Sequence, residues 1–250
     1  MNPTDASGAR HRGPAFDELY VIHCKRLVAR REYLQPILRD LGWDARWIDS
    51  HDPDEIPRRH LLRFKLGARM LTVGEISVYL KHVEAFRRIA RQEASIGFVI
   101  EDDAVFPPEF SATFGRYRSS LTAPFDLVFF GASEAAGEPP GDEGRLFAEC
   151  ARTRSMSGYL ITAAAASRLL AELDGRPILE PIDHAVNRIL ESGAFKVLWS
   201  LPPLLLNGSE TKRFGHSLGV AWREDVARPG LCLKARPVMD RLVAAMSVRR

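Results

Sequence analysis

The stretch Phe98-Val-Ile-Glu-Asp-Asp-Ala-Val-Phe106 reads as a short apolar strand running straight into three carboxylates, Glu101, Asp102 and Asp103. A strand that is apolar on both sides belongs in a sheet covered by helices on both faces, because neither side meets water. In an open α/β sheet of that kind ligands bind outside the carboxyl ends of the strands, so the acids stand where chemistry is expected. Three adjacent carboxylates repel one another and cannot all be buried bare. A hard divalent cation with oxygen ligands is one physical reason to tolerate them there. A solvated acidic turn is the plainer alternative.

The flanking sequence supplies the rest of an alternating pattern. Upstream, the β-prone run Leu19 to Ile22 is followed by Val28 to Leu41, in which Leu34, Ile37, Leu38 and Leu41 recur at helical spacing. Gly42 stops that helix, and Trp43 to Asp49 alternates as a second strand, so a βαβ unit opens the chain. After an Asp-, Pro- and His-rich loop from Ser50 to Arg59, Thr72 and Glu75 form a T-x-x-E capping box. The helix it predicts carries Ile76, Val83, Phe86, Ile89 and Ala90 as its apolar stripe and ends before Gly97. Downstream, strands are predicted at Asp126 to Phe130, Tyr159 to Thr162 and Phe195 to Trp199, with helices at Ala163 to Leu173 and Ile182 to Glu191. Glu134 to Gly144, rich in Gly, Pro and acids, reads as a flexible segment. The division expected is a disordered lead over 1–15, one catalytic domain over 16–220 and a helical extension over 221–250.

Composition narrows the function classes. The 250 residues are 46% hydrophobic and 27% charged, which excludes disorder, collagen and coiled coil as global descriptions. A net charge of +3, from 35 basic and 32 acidic residues, is too small an excess for a dedicated nucleic-acid binder. Cys24, Cys150 and Cys232 stand far apart with no C-x-x-C spacing, against a disulfide framework or a structural zinc. With neither a secretory signal nor an apolar span in the sequence, a cytoplasmic location is expected.

Several side chains are candidates for chemistry, each beside a plainer role. Glu75 and His82 are seven residues apart, nearly on one helix face, and could converge on a site; the plainer alternative is that Glu75 only completes its capping box and His82 is an ordinary surface or core histidine. Asp183 and His184 sit at a proline-marked helix start, where Asp183 could be a base or a cap. Arg26, Arg30 and Arg31 follow the first strand and could pair with a diphosphate or form a solvated helix face. His216 could be a late-loop ligand, since imidazole with carboxylate suits manganese. His11, His51 and His60 receive no role.

Taken in order, the segments resemble the family 25 glycosyltransferases, the group of bacterial lipooligosaccharide galactosyltransferases that is similar to collagen galactosyltransferase domains. The matching pieces are Y20-V-I-H with the Arg-containing helix start, W47-I-D, L71-T-V-G-E-I with K81-H, F98-V-I-E-D-D-A-V-F, S157-G-Y-L-I-T with A166-S-R-L-L, P181-I-D-H, and L201-P-P-L ending in G208-S-E. They run from about Leu19 to about Ser217.

The resemblance implies a GT-A-like, Rossmann-related α/β domain with a mixed central sheet flanked by helices. It implies a nucleotide-sugar donor, usually UDP-galactose, a saccharide acceptor and a divalent metal, Mn2+ or Mg2+. On this sequence the family's acidic metal motif falls on Glu101, Asp102 and Asp103; the metal is assigned to Glu101, Asp103 and His216, and the donor to His23, Arg26, Arg30, Asp49 and Asp102. The acceptor falls to His82 and His184. Asp183 is the expected base, with Glu75 next in line, for an inverting displacement. Two positions depart from the family's pattern: His23 stands where Asn is usual, and Lys81 where a Ser commonly precedes the His. The alternative is a degenerate sugar-binding or scaffolding protein of the same fold. A metal-dependent phosphohydrolase or nucleotidyltransferase shares the acidic strand end but leaves T-V-G-E-I and P-I-D-H unexplained. The family's acceptors suggest peripheral contact with the inner membrane, for which Arg236, Arg241, Arg249 and Arg250 around Val238 to Met246 offer a basic amphipathic surface.

Overall fold

The computed structural model describes residues 16–56, 71–91, 96–132, 145–209, 211, 213 and 214. The expected lead, the Glu134 to Gly144 segment, the C-terminal extension with its basic helix, and His216 lie outside the described residues.

Strand β1 (Glu18–Ile22), helix α1 (Val28–Asp40) and strand β2 (Ala45–Ile48) form the expected βαβ unit, with β1 and β2 parallel and Leu19 opposite Ala45. Gly42 takes φ 71° just beyond α1, a left-handed turn that a side chain would strain. Helix α2 (Val73–Ala90) starts on a complete capping box: the Glu75 N–H donates to Thr72 Oγ1, and the Thr72 N–H donates to the Glu75 carboxylate. The chain returns in β3 (Ile96–Glu101), which pairs in parallel with the other side of β1. The order β2-β1-β3 means that successive connections leave β1 in opposite directions. Such a reversal, at the carboxyl ends of β1 and β3, is where α/β sheets form the crevice that takes ligands.

Beyond β3 come β4 (Ala104–Val105), α3 (Phe110–Ser120), β5 (Leu127–Phe129), β6 (Gly131–Ala132), β7 (Phe147–Cys150) and β8 (Gly158–Thr162). Then follow α4 (Ala163–Leu173), α5 (Ile182–Leu190), β9 (Val197–Ser200) and β10 (Leu205–Asn207). The main sheet has seven strands in the order β2-β1-β3-β8-β5-β9-β7, with β8 antiparallel to β3 and β5, β7 antiparallel to β9, and β5 parallel to β9. A small sheet, β4-β10-β6, brings residues near 208 beside the turn after β3.

Alternate residues of each central strand enter opposite cores. Tyr20, Ile22, Val99, Phe129, Tyr159 and Ile161 pack with α2, α4 and α5. Leu19, Val21, Phe98, Ile100, Val128 and Leu160 pack with α1 and α3. Each large apolar side chain so buried contributes about 1.5–3 kcal/mol, which is why Phe98 to Ile100 shows no polar alternation. Because α2 precedes β3 and α5 precedes β9, both helices begin at the carboxyl edge of the parallel strands, the edge that carries Glu101 to Asp103.

The mixed α/β sheet flanked by helices is the architecture expected from the sequence. Helix α3 was not expected: its Ser, Thr and Gly residues have weak helix propensity, and only the buried stripe Phe110, Phe114 and Tyr117 signals it. Strand β10 lies in a segment that reads as a proline loop, and β4 and β6, two residues each, are too short to show a period.

Candidate active site

The turn after β3 is fixed from both sides. The Asp102 N–H donates to the Ile22 carbonyl at 3.0 Å, and the Glu101 N–H donates to the Ser157 carbonyl at 3.1 Å. From this base the three carboxylates diverge. Asp102 is buried, accepting from Arg30 Nη1 at 2.9 Å through Oδ1 and from the His23 ring through Oδ2 at 2.8 Å. An ionised carboxylate only accepts, so His23 carries its proton on Nδ1. The Cys24 N–H adds a longer contact of 3.4 Å to Oδ2.

Asp103 points elsewhere. Its Oδ2 accepts from the Ser209 hydroxyl at 2.6 Å and lies 3.6 Å from Arg30 Nη1, and its Oδ1 is buried with no hydrogen-bond partner among the described residues. Burial pushes its carboxyl up to about 6; the Arg30 charge opposes the rise, while Glu101 and Asp102 add to it. Ser209 reaches Asp103 because the Gly208 N–H donates to the Asp103 carbonyl at 2.8 Å. A Cβ at Gly208 would stand 2.5 Å from that carbonyl oxygen, so only glycine permits the approach.

Glu101 is the most accessible of the three, with 22% of its side chain exposed, and its Oε1 lies 3.3 Å from His82 Nε2. Behind it His82 is fully buried, with Nδ1 2.9 Å from the Tyr159 hydroxyl. Burial, reinforced by the Glu101 charge, holds the Tyr159 phenol well above its ordinary range, so it stays a neutral hydroxyl. A phenol–imidazole–carboxylate line thus runs from the core to the crevice.

A divalent cation needs oxygen donors not already committed. Both Asp102 oxygens are taken by protein donors, and no three His, Cys, Asp or Glu side chains converge as a metal cage among the described residues. The unpartnered Asp103 Oδ1 and the accessible Glu101 carboxylate do fit a hard cation of the kind held by one or two carboxylates and completed by substrate phosphates. Asp103 and Glu101 are therefore the residues suited to it.

A model of glycosyltransferase family 25 (LPS biosynthesis protein) matches residues 16–137, the stretch that contains β1, α1, α2 and the Glu101 to Asp103 turn. Over those residues the chain is similar to glycosyltransferase family 25. A "Glycosyltransferase 25 family member" of Drosophila melanogaster is 26% identical over 186 residues, covering 68% of this chain and 30% of that protein. "Procollagen galactosyltransferase 1-A" of Xenopus laevis is 25% identical over 190 residues, covering 68% and 30%. The chain thus spans about a third of the length of these curated relatives. A solved structure, that of a glycosyltransferase involved in the glycosylation of the major capsid of PBCV-1, aligns with 76% of this chain and 94% of its own at 10% identity and a TM-score of 0.41.

The expected site residues divide into three groups. His23, Arg30, Asp102 and Asp103 form one buried network, with Glu101 beside it. Glu75, Asp183 and His184 lie at the starts of α2 and α5, on the same sheet edge. Asp183 has 48% of its side chain exposed, and its described polar neighbour is His184 at 4.0 Å. Arg26 is exposed and pairs with Asp54 on the rim, and Asp49 is half-buried just beyond β2.

Two of the expected residues are held by their neighbours in the fold. His82, expected to meet the acceptor, is fully buried, with its Nε2 3.3 Å from Glu101 Oε1. Glu75 completes its helix cap, accepting from both the N–H and the hydroxyl of Thr72. Ser209 and Tyr159 were not anticipated. Their signals, a turn-forming N-G-S and a tyrosine in an apolar strand, are common in proteins of every function.

Proposed function

We propose that this chain is a glycosyltransferase that moves a hexose, galactose, from a UDP-sugar to a hydroxyl of a saccharide acceptor, a lipooligosaccharide or other surface glycan, with inversion. The observation that carries the reading is the knot of His23, Arg30, Asp102, Asp103 and Ser209, which draws the ends of β1, β3 and β10 together at the crevice where strand order reverses. The match to the family 25 model and the galactosyltransferase named among the relatives support the choice of donor.

The chain's own residues then have distinct tasks. Helix α1 begins at Leu27 with no side-chain cap, following β1, so its positive dipole end stands at the carboxyl end of that strand and suits the diphosphate. Arg30 and His23 hold Asp102 rigid beneath that turn. Where a divalent cation binds, Asp103 and Glu101 would hold it, and it would supply neutralisation of the departing diphosphate. Asp183, accessible at the start of α5, takes the acceptor's proton as the hydroxyl oxygen attacks the anomeric carbon; the bond to the UDP oxygen breaks, and its electron pair leaves with UDP. The reading includes a cytoplasmic location with peripheral contact to the inner-membrane surface.

The test is transfer from UDP-galactose to a lipooligosaccharide core, compared between wild type and Asp183→Asn. The amide keeps the shape of the side chain but accepts no proton, so UDP affinity should persist while transfer falls by about 10²- to 10⁴-fold. Transfer by the variant at the wild-type rate would remove Asp183 from the chemistry. Donor binding without transfer or hydrolysis in the wild type would point to the degenerate binding protein instead.

A further inference from the structure

Lys81 is a departure from the family's pattern, and in the structure it is neither idle nor exposed. It lies within α2 with 1% of its surface exposed. Its Nζ donates to the Ser50 carbonyl at 2.6 Å and to Asp52 Oδ1 at 2.7 Å. An ammonium removed from water this completely must be both paired and hydrogen-bonded, and these two acceptors do both.

Asp52 is buried too, and its second oxygen looks the other way. Oδ2 accepts from the Lys25 N–H at 3.0 Å, in the turn between β1 and α1. The same turn carries His23 and Cys24, which meet Asp102. One turn earlier on α2, Ser77 Oγ donates to the His51 carbonyl at 2.6 Å. Helix α2 therefore grips three consecutive residues, 50 to 52, and between the two anchors His51 is held at φ 63°. A non-glycine residue in that region persists only where its surroundings over-determine it.

We propose that Lys81 and Asp52 are positioning residues for the donor: their ion pair carries the position of α2 into the β1–α1 turn, and so sets His23 and Cys24 against Asp102. This rests on the reading of that crevice as the donor site. In place of the small residue usual before His82, the chain uses a long cation to tie the end of β2 to the end of β1. Neither residue touches the reacting atoms in this account. Their loss should loosen donor binding more than it slows the chemistry.

The experiment uses the full chain, with UDP and UDP-galactose as probes, and three variants: Lys81→Met, Asp52→Asn, and the double variant, which leaves no buried charge uncompensated. Two measurements are made on each. Amide hydrogen exchange at Cys24 and Lys25 reports the mechanical link whether or not the chain is a transferase. The KM for UDP-galactose and kcat report its consequence. Faster exchange at Lys25 is expected in every folded variant, with KM raised by about tenfold to a hundredfold and kcat changed far less. The double variant should regain the melting temperature lost in Lys81→Met without regaining KM. If Lys25 exchange is unchanged, or if KM recovers along with stability in the double variant, the pair is structural only and the proposal is overturned. If exchange quickens but the wild type neither binds UDP nor uses UDP-galactose, the link stands, and it is the donor reading, with the role built on it, that has failed.

Discussion

Arg30 donates through Nη1 to Asp102 Oδ1 at 2.9 Å across 72 residues of sequence, and both side chains are nearly sealed from solvent. A cation from the first turns of α1 thus neutralises an acid delivered by β3, and the like charges of Asp102 and Asp103 coexist because Arg30 lies within reach of both. Removing one partner of a buried pair leaves the other charge uncompensated, which costs about 3–5 kcal/mol. Arg30→Met should lose that much in urea unfolding, and adding Asp102→Asn should restore a part of it. Stability within about 0.5 kcal/mol of wild type would show that the pair is not holding the turn.

Asp103 gives the pH dependence a sign. Its carboxyl is pushed up to about 6 by burial, against an ordinary value of 3.8. Between those values the unfolded chain has released a proton that the native state keeps. The native state therefore binds more protons, and this group makes stability fall as pH rises from about 4 to about 6, with no contribution to the slope on either side. Asp103→Asn removes the contribution. In thermal melts the variant's midpoint should gain on the wild type's across that window and stay level above it. Parallel curves would mean that Asp103 ionises as it does in water.

His82 acts, in this account, by orienting Glu101. His82→Phe keeps a ring in the buried site but deletes the nitrogen 3.3 Å from Glu101 Oε1. Transfer should fall by about tenfold to a hundredfold, as expected of a misplaced group near the chemistry, while the protein still melts cooperatively. An unchanged rate would reduce the phenol–imidazole line to core packing.

Two glycines supply a matched comparison. At Gly115, in the middle of α3, an added Cβ meets nothing within 4 Å, so Gly115→Ala should stabilise by about 0.5–1 kcal/mol. At Gly208 the added atom would press on the Asp103 carbonyl and the Phe214 ring, and Gly208→Ala should destabilise by about 1–3 kcal/mol. Equal effects in denaturant unfolding would mean that the 103–208 approach is not a constraint.

The parts of this protein that sequence makes legible are those with a local cause. Thr72 and Glu75 announce α2 because a capping box is closed within four residues, and Phe98 to Ile100 announce a doubly covered strand because both sides must be apolar. Arg30, His23 and the acids were reachable as candidates, since their types and the strand ends they follow are visible in one dimension. What the sequence hides is partnership across distance. Nothing near Ser209 refers to Asp103, which is 106 residues away, and nothing near Lys81 refers to Asp52. The burial of His82 likewise depends on Tyr159, from a strand that pairs with β3 only in the folded sheet.

The proposed function requires that the crevice beyond the carboxyl ends of β1 and β3 binds a nucleotide diphosphate together with a cation held by Asp103. Isothermal titration of UDP into the wild type and Asp103→Ala, each with and without manganese, tests it most directly. Manganese should tighten UDP binding to the wild type, and the variant, still folded, should lose that gain. No UDP binding by the wild type, or the same manganese-dependent gain in both proteins, would contradict it.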